Sequence, residues 1–240
     1  VTPMEIAVAD IGGTNARFAV ARIEGGKVVQ LGDPVVLRAA GYPGLAEAWA
    51  DFGEAIGRPL PRFAALALAG PVTGGPVRFI NSHWVVDPAT LSADLGLDRF
   101  TLLNDFGAMA HAVDALGSDG LEHLCGPDVP LPERGAISVI GPGTGLGVAI
   151  LLRRAQGSVV LETEGAHIHY APLDARERQV SEAIARLYGR TSVERVVSGP
   201  GLGEIVRALD PGDARPDPEL WAAAVEGSEP AARVARDLFL

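Results

Sequence analysis

Lysine and cysteine are almost absent from this sequence. Lys27 is the only lysine, and the other 19 of the 20 basic residues are arginine. A P-loop requires GxxxxGK followed by Ser or Thr, and a protein kinase requires a lysine on a defined strand. Lys27 lies in EGGKVV, which fits neither pattern. Both of these classes of nucleotide-binding protein are therefore excluded.

Cys125 is the single cysteine, which excludes an intrachain disulfide and a cysteine-rich zinc site. The chain also begins without the basic segment and apolar core of a secretory signal. Both features are typical of a protein of the reducing cytoplasm, and we expect that location.

Basic charge is in short supply as well. Twenty Lys and Arg face thirty Asp and Glu, giving a net charge of −10, whereas a nucleic-acid-binding protein needs a basic face. One uncharged stretch, residues 136–152, approaches the length of a membrane span. Pro142 and four glycines interrupt it, which favours strand–turn–strand. We expect neither nucleic acid nor a membrane as partner.

Apolar residues make up 48% of the 240 positions, which is enough to bury the core of one large domain or two smaller ones. Hydrophobic periodicity and turn residues predict an α/β chain. We expect strands at 4–10, 16–23 and 27–31 in an antiparallel meander, then at 63–69, 76–82, 99–105, 136–141 and 147–153. Helices are predicted at 43–57, from Asp87 and Pro88 onward, at 106–116, 174–189 and 202–209, and in two further stretches towards the end.

An internal repeat links two glycine turns. GTNARFAV (13–20) and GTGLGVAI (143–150) each follow a strand, turn on Gly-Thr and re-enter a strand. Two copies of one βββαβα unit, facing each other across a cleft, would explain the similarity, and chance likeness of two turns is the alternative.

The first of these turns lies in VADIGGTNARFAV (8–20). Gly12 and Gly13 allow close backbone approach, Thr14 adds a hydroxyl, and the backbone N–H groups of such a turn can bind an anion. Asp10 could hold Mg²⁺ through water. An ordinary hairpin turn is an equally good interpretation.

The second turn, in VIGPGTGLGV (139–148), is not a dinucleotide fingerprint. Leu146 occupies the place of the third glycine, and a strand follows instead of a helix. A second phosphate-facing or hinge turn is the functional interpretation, and a glycine-rich hairpin is the alternative.

Two further segments carry candidate site residues. In LLNDF (102–106), Asp105 ends a strand and could act as a general base, although as an isolated motif it fits a helix N-cap better. In ETEGAHIHYAP (162–172), Glu164, His167 and His169 lack the spacing of a metal site. Hydrogen bonding to a polyhydroxyl ligand is the better functional interpretation, and a charged loop beside core histidines is the alternative.

Together, these segments resemble the bacterial glucokinase family of the actin-like, ribonuclease-H-like ATPase superfamily. The resemblance is carried, in the family's order and over nearly the whole chain, by DIGGTNAR (10–17), FINSHW (79–84), LLNDF (102–106), GPGTGLGVA (141–149), EGAHIHYAP (164–172) and ERVVSGPGLGEIVRAL (194–209). It implies two α/β lobes around a central cleft, a small one at 1–104 and a large one at 105–240. Family members continue beyond this C-terminus, so the large lobe is expected to be incomplete.

The resemblance also implies ATP-dependent phosphorylation of glucose to glucose 6-phosphate, with Mg²⁺ near Asp10 and Asp105 as the catalytic base. The sugar-binding residues would be Asn81, Asn104, Glu164, His167 and Glu194. The cofactor-binding residues would be Ala9, Asp10, Ile11, Gly12, Gly13, Thr14, Gly143, Thr144 and Gly145. No residue is predicted to ligate a metal ion directly, and a homodimer is implied by the resemblance alone.

Other functions remain open from the sequence. The broader sugar-kinase and repressor family shares the phosphate turn but usually carries a cysteine-rich zinc motif, which Cys125 alone cannot supply. A kinase of another hexose, a non-catalytic sugar-binding or regulatory module, and a nucleotide-binding structural protein of the same fold are the further alternatives.

Overall fold

The computed structural model describes residues 3–79, 82–116 and 120–239. The chain divides into two compact units, Val1–Ala115 and Leu116–Leu240. The predicted boundary after residue 104 stays a prediction, and the helix that starts at Asp105 is counted with the first unit.

The first unit is a six-stranded mixed sheet with helices. Its elements are β1 (Met4–Ile11), β2 (Asn15–Glu24), β3 (Lys27–Leu31), β4 (Val35–Arg38), α1 (Leu45–Ile56), β5 (Phe63–Leu68), β6 (Val77–Arg78), β7 (Val85–Val86), α2 (Leu91–Leu95), β8 (Arg99–Asn104) and α3 (Asp105–Ala115). The sheet order is β3-β2-β1-β5-β8, and β4 also pairs with β2. The predicted meander of the first three strands is confirmed, and β1, β5 and β8 run parallel.

An aromatic cluster fixes α1 on this sheet. Phe18 of β2 stacks on Phe52 with 5.3 Å between ring centroids, and Trp49 meets both rings edge-on. These rings are buried, and aromatic pairs add stability beyond the apolar area that they remove from water. Gly57 ends α1 in the left-handed conformation (φ 68°), as its place at the end of the predicted helix indicates.

The structure corrects two local predictions. The helix expected from Asp87 and Pro88 begins only at Leu91, because residues 87–90 form a turn in which Thr90 N–H donates to the Asp87 carbonyl (3.2 Å). Of the strand expected at 76–82, only β6 is found among the described residues, because Phe79 and Ser82 are not in a strand; the part of the prediction on Ile80 and Asn81 lies outside the described residues. Strand β4, which the sequence does not predict, pairs antiparallel with β2.

The second unit combines a three-stranded antiparallel sheet with helices. Its elements are β9 (Gly135–Pro142), β10 (Leu146–Arg153), β11 (Val159–Thr163), α4 (Ala175–Tyr188), α5 (Val193–Val196), α6 (Gly201–Leu209), α7 (Asp217–Glu226) and α8 (Pro230–Phe239). The sheet order is β11-β10-β9, so this unit repeats the meander of β1 to β3. Helices α4 to α8 share one apolar core, to which α6 contributes Leu202, Ile205 and Val206.

Within the described ranges, no helix has the length and apolar character needed to cross a membrane.

Candidate active site

Three parallel strands of the first unit end together at one edge of the sheet. Ile11 of β1 is in register with Leu68 of β5, and Leu68 is in register with Asn104 of β8. Residues 12–14, here called the first glycine turn, and Asp105 therefore leave the sheet at the same edge. Ligands of open α/β sheets bind at the carboxyl ends of the strands.

The first glycine turn is held by backbone hydrogen bonds. Gly12 N–H donates to the Asn15 carbonyl (2.9 Å), and Ala39 N–H donates to the Thr14 carbonyl (3.0 Å). Immediately before the turn, the Ile11 carbonyl accepts from Ala69 N–H (3.0 Å). The turn thus has a fixed backbone at a place where N–H groups can approach an anion.

Asp10 faces Arg17 across the β1–β2 pair. The Arg17 Nη1 atom lies 2.9 Å from Asp10 Oδ2, and both side chains are about half exposed. A half-exposed carboxylate at a strand end suits Mg²⁺, which keeps several of its waters and takes few protein oxygens. Ala9 and Ile11 have buried side chains, so they can offer a ligand only their backbone groups.

Asn104 and Asp105 form the junction between β8 and α3. The Asn104 side-chain oxygen accepts from the N–H groups of Phe106 (3.0 Å) and Gly107 (3.1 Å), while its Nδ2 donates to the Gly70 carbonyl (3.2 Å). Asn104 therefore caps the helix, a role that the sequence alone assigned to Asp105. The Asp105 carboxylate accepts from Phe106 N–H (2.9 Å) at the helix N-terminus, a favourable place for negative charge.

In the second unit, residues 143–145 form the second glycine turn, between β9 and β10. Gly143 N–H donates to the Gly145 carbonyl (2.8 Å). Just after the turn, Leu146 N–H donates to Glu194 Oε2 (3.0 Å). A Cβ on Gly145 would lie 2.5 Å from that same Oε2, so glycine leaves the space that the Glu194 carboxylate occupies.

Glu164, His167 and Glu194 are brought together around the imidazole of His167. Its Nε2 lies 3.4 Å from Glu164 Oε2, and its Nδ1 lies 3.7 Å from Glu194 Oε1. Glu194 is the least exposed of the three side chains, at 27% against 48% for His167 and 61% for Glu164. Two carboxylates and an imidazole offer the acceptors and donors that a polyol needs.

A short ladder places Glu194 beside His167, although 27 residues separate them in the chain. Val193 N–H donates to the Ile168 carbonyl (3.0 Å), and Tyr170 N–H donates to the Thr191 carbonyl (3.1 Å). His169 forms a bridge with Ser192 on the same ladder. Among the residues that the structure describes, no three His, Cys, Asp or Glu side chains are grouped as a metal site requires.

Sequence reasoning missed the residues that support the second glycine turn. Gly199 N–H donates to the Gly143 carbonyl (2.7 Å), and Trp221 Nε1 donates to the Gly199 carbonyl (2.7 Å). The SGPG segment belongs to a motif that carries the family resemblance, but its sequence carries no signal of a partner 56 residues earlier. Thr144 lies exposed in the turn itself, while Asn81 lies outside the described residues.

Comparison with known proteins identifies the family. The glucokinase family model matches residues 7–240. A glucokinase from Zymomonas mobilis is 48% identical over 241 residues, covering 98% of this chain and 74% of the relative. This chain belongs to the glucokinase family. A second glucokinase, from Saccharophagus degradans, is 36% identical and is covered to 73% of its length.

Solved glucokinase structures share the fold. The glucokinase of an Antarctic psychrotroph superposes with a TM-score of 0.75 at 28% identity, covering 98% of this chain and 74% of that one. The Balamuthia mandrillaris glucokinase, in complex with glucose, superposes with a TM-score of 0.79 at 24% identity, covering 99% of this chain and 73% of that one. A ROK family glucokinase from Streptomyces griseus, in complex with glucose and AMPPNP, has a TM-score of 0.55 at 18% identity, and the match covers 98% of this chain and 75% of that one. The predicted glucokinase family and α/β fold class are confirmed.

Proposed function

We propose that Asp105 is the general base in the ATP-dependent phosphorylation of glucose, the reaction of this glucokinase family member. One observation carries the proposal. Strand register brings the first glycine turn and the Asn104–Asp105 junction to the same carboxyl edge of the β1-β5-β8 sheet. A candidate anion-binding turn and a carboxylate base are thereby assembled on one rigid element.

The chemistry requires positioning more than covalent help. Asp105 takes the proton of the glucose 6-hydroxyl while the bond from O6 to the γ-phosphorus forms and the bond from that phosphorus to ADP breaks. The products are glucose 6-phosphate and ADP. Phosphoryl transfer proceeds through a loose transition state, so aligning the reactants and neutralising charge supply most of the acceleration.

Asn104 serves Asp105 in this scheme through the local geometry. Its side-chain oxygen caps α3 and its amide nitrogen is tied to Gly70, so the backbone that presents the Asp105 carboxylate is fixed from both sides. We propose that Asn104 also contacts the sugar, as the family resemblance implies, and that Asn81 does so too.

Glu164, His167 and Glu194 are proposed to bind the sugar hydroxyls. The carboxylates accept hydrogen bonds from hydroxyls, and the imidazole between them can donate one or accept one. Their mutual contacts favour fixed orientations, which gives paired hydrogen bonds their specificity for a polyol. The same group of side chains gives an uncharged hexose a large set of partners without a metal.

The phosphates of ATP are assigned to the two glycine turns. In the first turn, backbone groups of Gly12, Gly13 and Thr14 are the proposed contacts, and Asp10 is proposed to hold Mg²⁺ through water. The second turn adds Gly143, Thr144 and Gly145. When bound, Mg²⁺ would neutralise phosphate charge. We further propose a cytoplasmic location, which the single Cys125 supports.

Replacing Asp105 with Asn tests the assignment. The amide keeps the shape of the side chain but cannot accept the proton, so turnover in a coupled ADP assay should fall about 10²–10⁴-fold. Glucose affinity by calorimetry should change less than about threefold, since the sugar contacts stay in place.

Asp114→Asn, the same change near the other end of α3, is the matched control and should leave both quantities unchanged. Near-wild-type turnover of Asp105→Asn would overturn the assignment of the base.

A further inference from the structure

Helix α7 is connected to the second glycine turn by two consecutive hydrogen bonds. The indole N–H of Trp221 donates to the Gly199 carbonyl (2.7 Å), and Gly199 N–H donates to the Gly143 carbonyl (2.7 Å). Both distances are at the short end of the normal range for N–H···O bonds. Both backbone polar groups of Gly199 are therefore engaged in this connection.

Close approach explains why residue 199 is glycine. A Cβ there would lie 2.8 Å from the Gly143 carbonyl oxygen, a backbone atom that cannot rotate away as a side-chain atom could. The contact between the SGPG segment and the turn thus depends on the absence of a side chain at residue 199.

Trp221 is held firmly at the other end of the connection. Its ring meets Phe239 of α8 edge-to-face, with 5.0 Å between centroids and planes at 84°, and its chain neighbour Leu220 is fully buried. Tryptophan has only two side-chain torsions, so little freedom remains once its ring is packed and its N–H is bonded. The indole is a rigid donor against which Gly199 is aligned.

The second glycine turn has a separate anchor at its other end. Leu146 N–H donates to Glu194, which belongs to the sugar-binding group, whereas the bond from Gly199 is made at Gly143. Loss of the hydrogen bond at Gly143 should therefore disturb the turn without directly breaking the bond between Leu146 and Glu194. The Gly143 end of the turn is therefore expected to affect the binding of ATP, and the end next to Glu194 is expected to affect the binding of glucose.

We propose that Trp221 is a positioning residue that, through Gly199, holds the second glycine turn in the geometry for binding the phosphates of ATP. The proposal rests on the proposed function, because it takes the turn as a phosphate contact. Trp221 itself touches neither substrate in this scheme. Its contribution is to the backbone position of Gly143.

Trp221→Phe tests this role, because it removes the N–H donor and retains an aromatic ring against Phe239. The KM for ATP should rise about two- to tenfold, as expected for losing one net hydrogen bond, while the KM for glucose stays within twofold. Phe239→Leu is the matched control. It removes the ring contact and keeps the indole N–H, so it should lower Tm while raising the KM for ATP much less than Trp221→Phe does.

Amide hydrogen exchange gives a readout that does not depend on activity. The Gly199 amide should exchange several times faster in Trp221→Phe than in the wild type or in Phe239→Leu. The proposal would be overturned if Trp221→Phe left the exchange rate of the Gly199 amide or the KM for ATP unchanged. An equal rise of the KM for ATP in Phe239→Leu would also overturn it. A wild-type protein that does not phosphorylate glucose would instead overturn the proposed function, and hydrogen exchange would still test the connection.

Discussion

The two glycine turns occupy the same place in two similar meanders but are held in different ways. Each joins the first strand to the second, and each is closed by one backbone hydrogen bond, from Gly12 to Asn15 or from Gly143 to Gly145. The first turn is fixed by backbone bonds to neighbouring segments of its own unit. The second is fixed by the Glu194 carboxylate and by the Gly199 backbone.

The difference shows that one local sequence pattern can depend on two kinds of support. A Cβ on Gly12 would lie 3.5 Å from the nearest atom outside its neighbours, an ordinary van der Waals distance. A Cβ on Gly145 or on Gly199 would lie at 2.5 or 2.8 Å. Position 145 of the second turn should therefore be far more sensitive to an added side chain than position 12 of the first.

The largest effect is expected from Gly145→Ala. The new methyl group must displace the Glu194 carboxylate, which loses its bond to Leu146 N–H and its position beside His167. Hydrogen bonds to charged groups contribute about 1.5–3 kcal/mol, so the KM for glucose should rise roughly ten- to a hundredfold. Steady-state kinetics with varied glucose measures this change.

Gly143→Ala is the matched control in the same turn, because a Cβ there has no atom within 4 Å. Its Tm and its KM for glucose should stay close to wild type. Equal effects of the two substitutions on the KM for glucose would contradict the role assigned to Glu194.

An intermediate loss of folding stability is expected at alkaline pH, from the titration of Tyr170 in the second unit. Burial, followed by a hydrogen bond to Glu177, raises the pKa of Tyr170 from about 10 to about 12. Because the pKa is raised in the folded state, the Tyr170 hydroxyl stays protonated to a higher pH in the folded protein than in the unfolded chain. The resulting stability is fully present below about pH 10 and is lost as the pH rises towards 12.

Tyr170→Phe removes this titration and gives the comparison. Between pH 10 and 12, the wild type should lose more stability than the variant, as measured by urea unfolding followed by circular dichroism. Parallel stability curves for the two proteins over this interval would be evidence against the raised pKa.

The smallest effect is expected from Gly12→Ala in the first turn. Because the added methyl group meets only an ordinary contact, the free energy of unfolding should change by less than about 0.5 kcal/mol, or roughly 2 °C in Tm. Thermal unfolding measures this directly. A loss of stability well above this value would contradict the ordinary contact that the added methyl group makes at position 12.

Much of the fold follows from local signals in the sequence. Alternating apolar residues and the EGGK turn predict the meander of β1 to β3, and the apolar spacing that ends at Gly57 predicts α1. The helix after Asp87 was predicted too early because Asp and Pro favour a turn as much as a helix start. Strand β4 is only four residues long and gains its identity from pairing with β2, which no local pattern reveals.

The candidate site divides along the same line. Asp105 and the glycine turns stand out as motifs, and strand register then explains why Asp105 and the first turn share an edge. In isolation, Glu194 fits a solvated helix face, and only the family resemblance marks it as a site residue, since its partners His167 and Leu146 lie 27 and 48 residues away. Gly199 and Trp221 were missed for the same reason, because their role depends on tertiary hydrogen bonds.

This member of the glucokinase family transfers the phosphoryl group of ATP to glucose. A coupled assay with glucose, fructose and mannose, each with and without ATP, tests it most directly, with calorimetry of glucose binding alongside. We expect ADP to form with glucose and ATP together, at a higher kcat/KM than with the other two sugars. Glucose binding without ADP formation, or a preference for another hexose, would contradict it.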